Sequence, residues 1–308
     1  MHYLGIEIGG TKLQVGVGPD DGRLRGLWRG TVDLDAGPAG IRRQIVEAVP
    51  LALAEAGLTR DQVRGVGIGF GGPVDDRTRT VIKSHQIEGW DDFPLADWVS
   101  DAVELPAVLG TDADVAGLGE ATHGAGKGLS PIFYINIGSG IGGGLVIDGE
   151  IYRGVGRGAA EIGHLQFAVE IIEILTLEDL ASGWGIENRY RNFINSEQNV
   201  TVPEIFRLAN DETDYHSAAK RIVTDATDYL SQALCHVIAL LCPRRIVIGG
   251  GVSLLGEQLF GPIRQHVAAM CFRPFAGLTD IVPAALGEEV VVHGAIRLAR
   301  QRLGEQGG

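Results

Sequence analysis

The chain has few cysteines and an excess of negative charge, and both facts limit what it can be. Its 3 cysteines are widely spaced and odd in number, which argues against a disulfide framework and favours a reducing compartment. Lysine and arginine number 26 against 39 acidic residues, so the net charge is −13. Such a surface repels the phosphates of nucleic acids and the headgroups of anionic membranes, so neither partner is expected.

Long apolar runs are also missing. The first residues, MHYLGIEIGG, form a strand pattern without a basic segment, and no stretch resembles a membrane span. We therefore expect neither a signal peptide nor a transmembrane helix, and a cytoplasmic protein. The length of 308 residues with 45% hydrophobic residues suits two globular domains rather than one minimal domain.

Glycine, by contrast, is abundant in turns that follow apolar strands. Because glycine has no Cβ, such turns let backbone N–H groups approach a ligand, and consecutive N–H groups form a concavity for anions such as phosphate. One Gly-Gly turn is usually only a turn, but three such turns with nearby polar donors favour a nucleotide. The predicted nucleotide-binding residues are Gly9, Gly10, Thr11, Lys12, Gly138, Ser139, Gly140, Gly249, Gly250 and Gly251.

The richest segment, residues 134–164, predicts two tasks. Its glycine turn would contact a nucleotide phosphate, and its closing side chains, Glu161 and His164, would contact the other substrate. The segment contains GxGxxG, which is typical of dinucleotide-binding folds, but a second strand and not a helix is predicted after Gly140. No GxxxxGK[ST] motif occurs, so the phosphate site is not a Walker P-loop.

The order of strands, glycine turn and helices begins near residue 3 and again near residue 131. This pattern predicts two α/β halves with a cleft between them, the usual place for a ligand. We place an N-terminal α/β domain at residues 1–120 and a larger C-terminal α/β domain at residues 121–289.

A set of motifs, in order along the chain, resembles the ROK family of bacterial sugar kinases and of repressors that share their fold. They are GIEIGGTK at 5–12, GIGFGGPVD at 67–75, TDADVAGLGEATHGAGKG at 111–128, IGSGIGGGLVIDGEIYRG at 137–154, EIGH at 161–164, LEDLASG at 177–183 and IVIGGGVS at 246–253. The resemblance implies two actin/hexokinase-like (ribonuclease H-like) domains around a central cleft, with the C-terminal helix, residues 290–308, packed on the N-terminal domain. It also implies ATP with Mg²⁺, a sugar substrate and a homodimer.

The resemblance assigns roles to single residues. Asp112 matches the base that accepts the proton of the sugar hydroxyl, a role that needs a carboxylate within hydrogen-bond reach. Judged by its position alone, at a junction of strand and helix, Asp112 would be a helix N-cap. The residues that match substrate contacts are Gly72, Gln86, Thr111, Asp112, Glu161, His164 and Glu178.

The chain departs from the family pattern around the metal and the sugar. Glu7 replaces the usual aspartate that faces Mg²⁺ through water, so the charge is kept on a longer side chain. Thr111 and Asp114 stand where the family has asparagines, and Gln86 replaces another asparagine that contacts the sugar. Because polar contacts decide such specificity, glucose is not carried over as the substrate.

The cysteine cluster that follows EIGH in the family is missing as well. Residues 165–177 contain no cysteine, so His164 has no sulfur partners and we predict no zinc. We predict an ATP-dependent sugar kinase for a hexose or N-acetylhexosamine. One alternative is a catalytically weak sugar-binding protein on a kinase fold; another is a ROK-type regulator, disfavoured because no helix-turn-helix precedes the first strand. The sugar and the phosphorylated hydroxyl stay open.

Overall fold

The computed structural model describes residues 1–33, 36–84, 89–156, 158–169, 173–196, 198–210 and 216–304. Contacts divide the chain into two compact units. Unit 1 consists of Met1–Gly128, Gly144–Ala159 and Ala285–Gly308, and unit 2 consists of Leu129–Gly143 and Ala160–Ala284. The domain boundaries given above, 1–120 and 121–289, stay predictions.

The strands are short and mostly buried. They are β1 (His2–Ile8), β2 (Lys12–Gly18), β3 (Gly26–Thr31), β4 (Val63–Phe70), β5 (Val74–Asp75), β6 (Thr80–Val81), β7 (Ala107–Thr111), β8 (Ile132–Ile137), β9 (Ile141–Ile147), β10 (Glu150–Ile151), β11 (Gln166–Ala168), β12 (Ile174–Thr176), β13 (Arg245–Gly249) and β14 (Asp280–Pro283). The helices are α1 (Gly37–Glu55), α2 (Leu95–Val103), α3 (Asp112–Thr122), α4 (Leu177–Ala181), α5 (Gly183–Ile194), α6 (Val202–Leu208), α7 (His216–Leu241), α8 (Glu257–Met270) and α9 (Val290–Leu303).

The sheet of unit 1 has the order β3-β2-β1-β4-β7. Strands β1, β2 and β3 pair antiparallel as a meander, whereas β4 and β7 run parallel to β1. Its central strands are apolar nearly throughout, which is typical of a sheet with both faces covered.

Helix α9 lies on this sheet and on α3 at positions where only glycine fits. A Cβ at Gly67 of β4 would lie 1.8 Å from the carbonyl oxygen of Ala295, and a Cβ at Gly294 would lie 1.7 Å from that of Val115. These distances are far below van der Waals contact, so the glycines set the depth at which α9 packs. The helix thereby joins β1, β4 and α3 in one core.

The second sheet has the order β10-β9-β8-β13-β14. Within unit 2, β13 pairs in parallel with both β8 and β14. The strand predicted after Gly140 is confirmed as β9, and Asp148 and Gly149 form its turn with positive φ angles of 51° and 79°. The longest helix in the described residues is α7, of 26 residues. No helix in the described part of the chain is long and apolar enough to cross a membrane.

Candidate active site

Asp112 opens helix α3 directly after β7, but it is not the N-cap. The cap is Thr111, whose Oγ1 accepts a hydrogen bond from the backbone N–H of Asp114 at 3.2 Å. The N-cap role predicted for Asp112 from its position alone is therefore wrong, because the preceding threonine already fills it. Asp112 takes the first helical position, where the positive end of the helix dipole favours a charged carboxylate. Its Oδ1 accepts from the N–H of Ala113 at 2.7 Å.

Three strands of unit 1 end together at this point. Ile8, Phe70 and Thr111 are in register across the parallel strands β1, β4 and β7. The first glycine turn, the loop that holds Gly72 and the start of α3 therefore emerge at one edge of the sheet. In an α/β sheet, the carboxyl ends of parallel strands are the usual place for a ligand. Unit 1 thus gathers the predicted base and the first predicted phosphate turn.

Glu7 lies in β1 beside this edge and is only 7% exposed. Its burial raises its pKa from 4.5 to about 7, although Lys12 opposes the rise and the negative charge of Asp112 adds to it. The Nζ of Lys12 lies 3.4 Å from Oε1 of Glu7 and donates to the carbonyl oxygen of Glu288 at 3.1 Å. The ammonium of Lys12, predicted to contact a nucleotide, is thus already held by two protein groups.

The glycine turns of unit 2 follow neighbouring parallel strands. Asn136 of β8 lies opposite Gly249 of β13, so turns 138–140 and 249–251 leave the sheet at the same edge. Gly250 has a φ of +86°, and a Cβ there would lie 2.5 Å from the carbonyl oxygen of Ile137. Glycine is required at this position both for its backbone angle and for the space. Unit 2 therefore brings together two of the three predicted phosphate turns.

Ile141 joins one of these turns to the predicted sugar contacts. Its N–H donates to Oε2 of Glu178 at 2.7 Å. A Cβ at Gly163 would lie 2.2 Å from the carbonyl oxygen of Ile141, so the EIGH turn packs directly on it. Glu161 and His164, at the two ends of that turn, are exposed. Within unit 2 the structure thus places Glu161, His164 and Glu178 around one backbone position.

Helix α4 begins with a capping box. Thr176 and Asp179 exchange backbone and side-chain hydrogen bonds, and the N–H of Leu177 donates to the carbonyl oxygen of Leu165 at 2.8 Å. This bond ties the helix that carries Glu178 to the end of the EIGH turn. Gln86 is the one predicted substrate contact that lies outside the described residues.

A buried ion pair beside Asp112 was not predicted from the sequence. Arg153 donates from Nη1 to Oδ2 of Asp114 at 2.9 Å, and its Nη2 lies 3.5 Å from Oδ1 of Asp76. The side chains of Asp114 and Arg153 are 2% and 11% exposed. A buried acid in the first turn of a helix signals the need for a counter-charge. Its partner is 39 residues away in sequence, however, and spacing does not identify it.

Two further observations concern other places in the chain. In the described residues, no group of three or more histidine, cysteine, aspartate and glutamate side chains could hold a metal ion. A cavity of about 590 Å³ lies beside α9, lined in part by Tyr3, Arg297 and Arg300. None of the predicted site residues lines this cavity, so its size does not mark the site.

The whole chain matches known proteins. The model of the ROK family matches residues 3–302. A glucokinase from Halalkalibacterium halodurans is 30% identical over 97% of this chain and 95% of that protein. Among solved structures, a ROK hexokinase from Thermus thermophilus is 29% identical, with a TM-score of 0.81, over 99% of this chain and 100% of that one.

A ROK family glucokinase from Streptomyces griseus, solved in complex with glucose and AMPPNP, is 28% identical to this chain. It superposes with a TM-score of 0.82 over 98% of this chain and 100% of that one. These matches confirm the α/β, actin/hexokinase-like fold predicted from the motifs. The family model covers nearly every residue from the first strand to the end of α9. The chain therefore belongs to the ROK family.

Proposed function

We propose that this carbohydrate kinase transfers the γ-phosphate of ATP to a hydroxyl of a hexose or N-acetylhexosamine, with Asp112 as the base. The observation that carries the proposal is the register of Ile8, Phe70 and Thr111, which puts Asp112 at the carboxyl edge of the sheet. The names of the relatives support it, since those matched over nearly their whole length include glucokinases. The structure solved with glucose and AMPPNP supports ATP as the donor.

Asp112 is suited to accept a proton. Because Thr111 caps α3, the carboxylate of Asp112 is not needed as the cap. The helix N-terminus favours its charged form, which is the form that takes a proton. As the hydroxyl oxygen of the sugar bonds to phosphorus and the bond to the ADP oxygen breaks, the hydroxyl proton passes to Asp112.

The glycine turns would hold the phosphates. Turns 138–140 and 249–251 leave one sheet edge, where Ser139 adds an exposed hydroxyl and Gly251 is exposed. Gly9, Gly10, Thr11 and Lys12 would contribute from unit 1. In such positions backbone N–H groups bind phosphate oxygens without the loss of side-chain freedom that a lysine would suffer.

A magnesium ion fits beside Glu7. Its carboxylate is 7% exposed, and the charge of Asp112 adds to the rise of its pKa to about 7. A divalent cation nearby would favour the charged forms of both carboxylates, which the protein alone disfavours for Glu7. When bound, Mg²⁺ neutralises negative charge on the phosphates. We propose that Glu7 holds it through water, and that no zinc is bound near His164, since residues 165–177 lack cysteine.

The sugar would contact Gly72, Gln86, Thr111, Glu161, His164 and Glu178. Hydroxyl groups both donate and accept, which suits carboxylates and an imidazole. Glu178 already accepts a hydrogen bond from Ile141 through Oε2, so it would offer the sugar mainly its second oxygen. We also propose that the protein is a homodimer and lies in the cytoplasm. Sedimentation of the purified protein would test the oligomeric state.

Coupled release of ADP, measured over hexoses, N-acetylhexosamines and ketohexoses, tests the function. We expect one or a few sugars to give turnover well above the ATPase background. Asp112→Asn should abolish most of it while sugar binding, followed by calorimetry, persists. If no sugar gives turnover, or if Asp112→Asn is as active as the unchanged protein, the proposal is wrong. Sugar binding without turnover would instead favour a catalytically weak sugar-binding protein.

A further inference from the structure

The base lies in a helix turn that carries a second acid. Asp112 and Asp114 are both in the first turn of α3, and Asp114 is 2% exposed as a side chain. A carboxylate buried this deeply is strongly unfavourable unless a positive charge and hydrogen bonds compensate it. An uncompensated charge here would also act on Asp112, two residues away, since interactions between buried charges are weakly screened.

Arg153 supplies the compensating charge. Its Nη1 donates to Oδ2 of Asp114 at 2.9 Å, and its side chain is 11% exposed. Asp76, 3.5 Å from Nη2 and 31% exposed, is a second carboxylate on the same guanidinium. Arginine suits this place because its planar guanidinium stays charged and can hold two acids at once.

The segment that carries Arg153 also touches α3 through its backbone. Residues 144–159 belong to unit 1 together with α3. A Cβ at Gly144 would lie 2.7 Å from the carbonyl oxygen of Ala113 and 3.0 Å from Cα of Asp114. The segment therefore holds the first turn of α3 at two points, a backbone contact at Gly144 and the ion pair at Arg153.

We infer that Arg153 is a positioning residue for phosphoryl transfer, which acts on the base Asp112 through the carboxylate of Asp114. It fixes the first turn of α3 and cancels the charge that would otherwise perturb the base. The inference rests on the proposed function. Arg153 itself need not touch either substrate, so its loss should lower kcat and leave both KM values nearly unchanged.

Four proteins test the inference: the unchanged chain, Arg153→Gln, Asp114→Asn and the double variant. Each is assayed on the sugar that the unchanged chain turns over fastest, at a temperature where near-UV circular dichroism shows it folded. Arg153→Gln removes the counter-charge of the buried carboxylate of Asp114, and kcat should fall about 10- to 100-fold, the size of effect that follows from a misplaced reacting group. The double variant should recover most of kcat, because a neutral amide needs no counter-charge.

Arg297→Gln is the matched control. Arg297 also pairs with a deeply buried acid of unit 1, Asp20, at 3.2 Å, but on α9. This variant should lose stability without a change in kcat, which separates positioning from a merely structural role. If Arg153→Gln does not fold, Arg153→Lys, which keeps the charge, is compared with the unchanged chain, and a kcat above one third of the original value is expected.

Two results would overturn the inference. One is a kcat of Arg153→Gln within twofold of that of the unchanged chain. For Arg153→Lys, the corresponding result is a kcat below one third of that of the unchanged chain. The other is a double variant as slow as Arg153→Gln with a raised KM for ATP, which would make Arg153 a direct contact of the nucleotide. Absence of turnover in the unchanged chain is a different result, since it overturns the proposed function itself.

Discussion

The backbone N–H of Ile141 donates to Oε2 of Glu178 at 2.7 Å, directly after the glycine turn at 138–140. Glu178 is therefore tied to the predicted phosphate turn as well as matching a sugar contact. The two roles can be separated, because glutamine keeps an acceptor oxygen at this position whereas alanine does not.

We expect Glu178→Ala to raise the KM for ATP as well as that for the sugar, since the turn loses its support. Glu178→Gln should raise only the KM for the sugar, because the amide oxygen still accepts from Ile141. Steady-state kinetics with each substrate varied in turn measures both. Equal ATP KM values in the two variants would show that the bond from Ile141 does not support the turn.

Gly140 should not tolerate a side chain. A Cβ there would lie 2.4 Å from Oε2 of Glu178, so either the turn or the carboxylate must move. We expect Gly140→Ala to raise the KM for ATP by about tenfold or more, equivalent to about 1.4 kcal/mol of binding. Gly251→Ala is the comparison for stability and not for ATP binding, since no protein atom lies within 4 Å of a Cβ there although Gly251 is itself a predicted nucleotide contact. Equal free energies of unfolding for the two variants would contradict the clash at Gly140.

Glu7 should make the protein less stable as pH rises toward neutrality. Burial raises its pKa from 4.5 to about 7, so between these values the folded state binds more protons than the unfolded one. The contribution of Glu7 to the free energy of unfolding is fully present below pH 4.5 and is lost as pH rises through about 7. The free energy of unfolding lost in this way is on the order of 3 kcal/mol, since each unit by which the pKa is shifted corresponds to about 1.4 kcal/mol.

Urea unfolding between pH 5 and 8 in the presence of a chelator, at intervals of about one unit, measures this slope. In Glu7→Gln, which cannot titrate, the part of the slope due to this group should vanish. Adding Mg²⁺ should stabilise the unchanged protein more at pH 8 than at pH 5, because the charged form of Glu7 is the one that the ion favours. Parallel curves for the two proteins would contradict the raised pKa of Glu7.

Two helix glycines should respond to alanine to very different extents. A Cβ at Gly294 in α9 would lie 1.7 Å from the carbonyl oxygen of Val115, so Gly294→Ala should destabilise unit 1 by about 3 kcal/mol, as overpacking does. Apart from its chain neighbours, a Cβ at Gly261 in α8 would meet only the end of the Glu257 side chain, at 3.8 Å. The next residue is Pro262, whose ring disfavours a helical residue with a Cβ before it. This offsets the gain in helix propensity, so Gly261→Ala should change the free energy of unfolding by less than about 1 kcal/mol. Thermal unfolding of both variants compares them.

The fold could be predicted because the sequence patterns that indicate it are local and repeated along the chain. Each strand that ends in a glycine turn can be recognised in a window of about ten residues, and the order of these windows along the chain indicates the family. The capping box at Thr176 and the turn at Asp148 are equally local features. Pro50 lies inside α1, which continues to Glu55, and its position on the exposed side leaves the carbonyl that lacks a donor open to solvent.

The contacts around the site were less predictable because they join distant parts of the chain. The pairing of Arg153 with Asp114 and the bond from Ile141 to Glu178 span 39 and 37 residues. A buried acid such as Asp114 needs a positively charged partner, but the sequence alone does not say which of the arginines of the chain that partner is. Position alone would make Asp112 the N-cap, but Thr111 is the cap, since two adjacent residues both have a suitable side chain and only the backbone angles choose between them.

The packing of α9 on β1, β4 and α3 has a consequence for synthesis. Unit 2 is finished once residue 284 has been made, whereas unit 1 still lacks Ala285–Gly308 at that moment. A nascent chain would therefore expose the apolar face of its first sheet until Ala285–Gly308 have left the ribosome. Unit 1, whose sheet is made before unit 2, thus reaches its native state after unit 2.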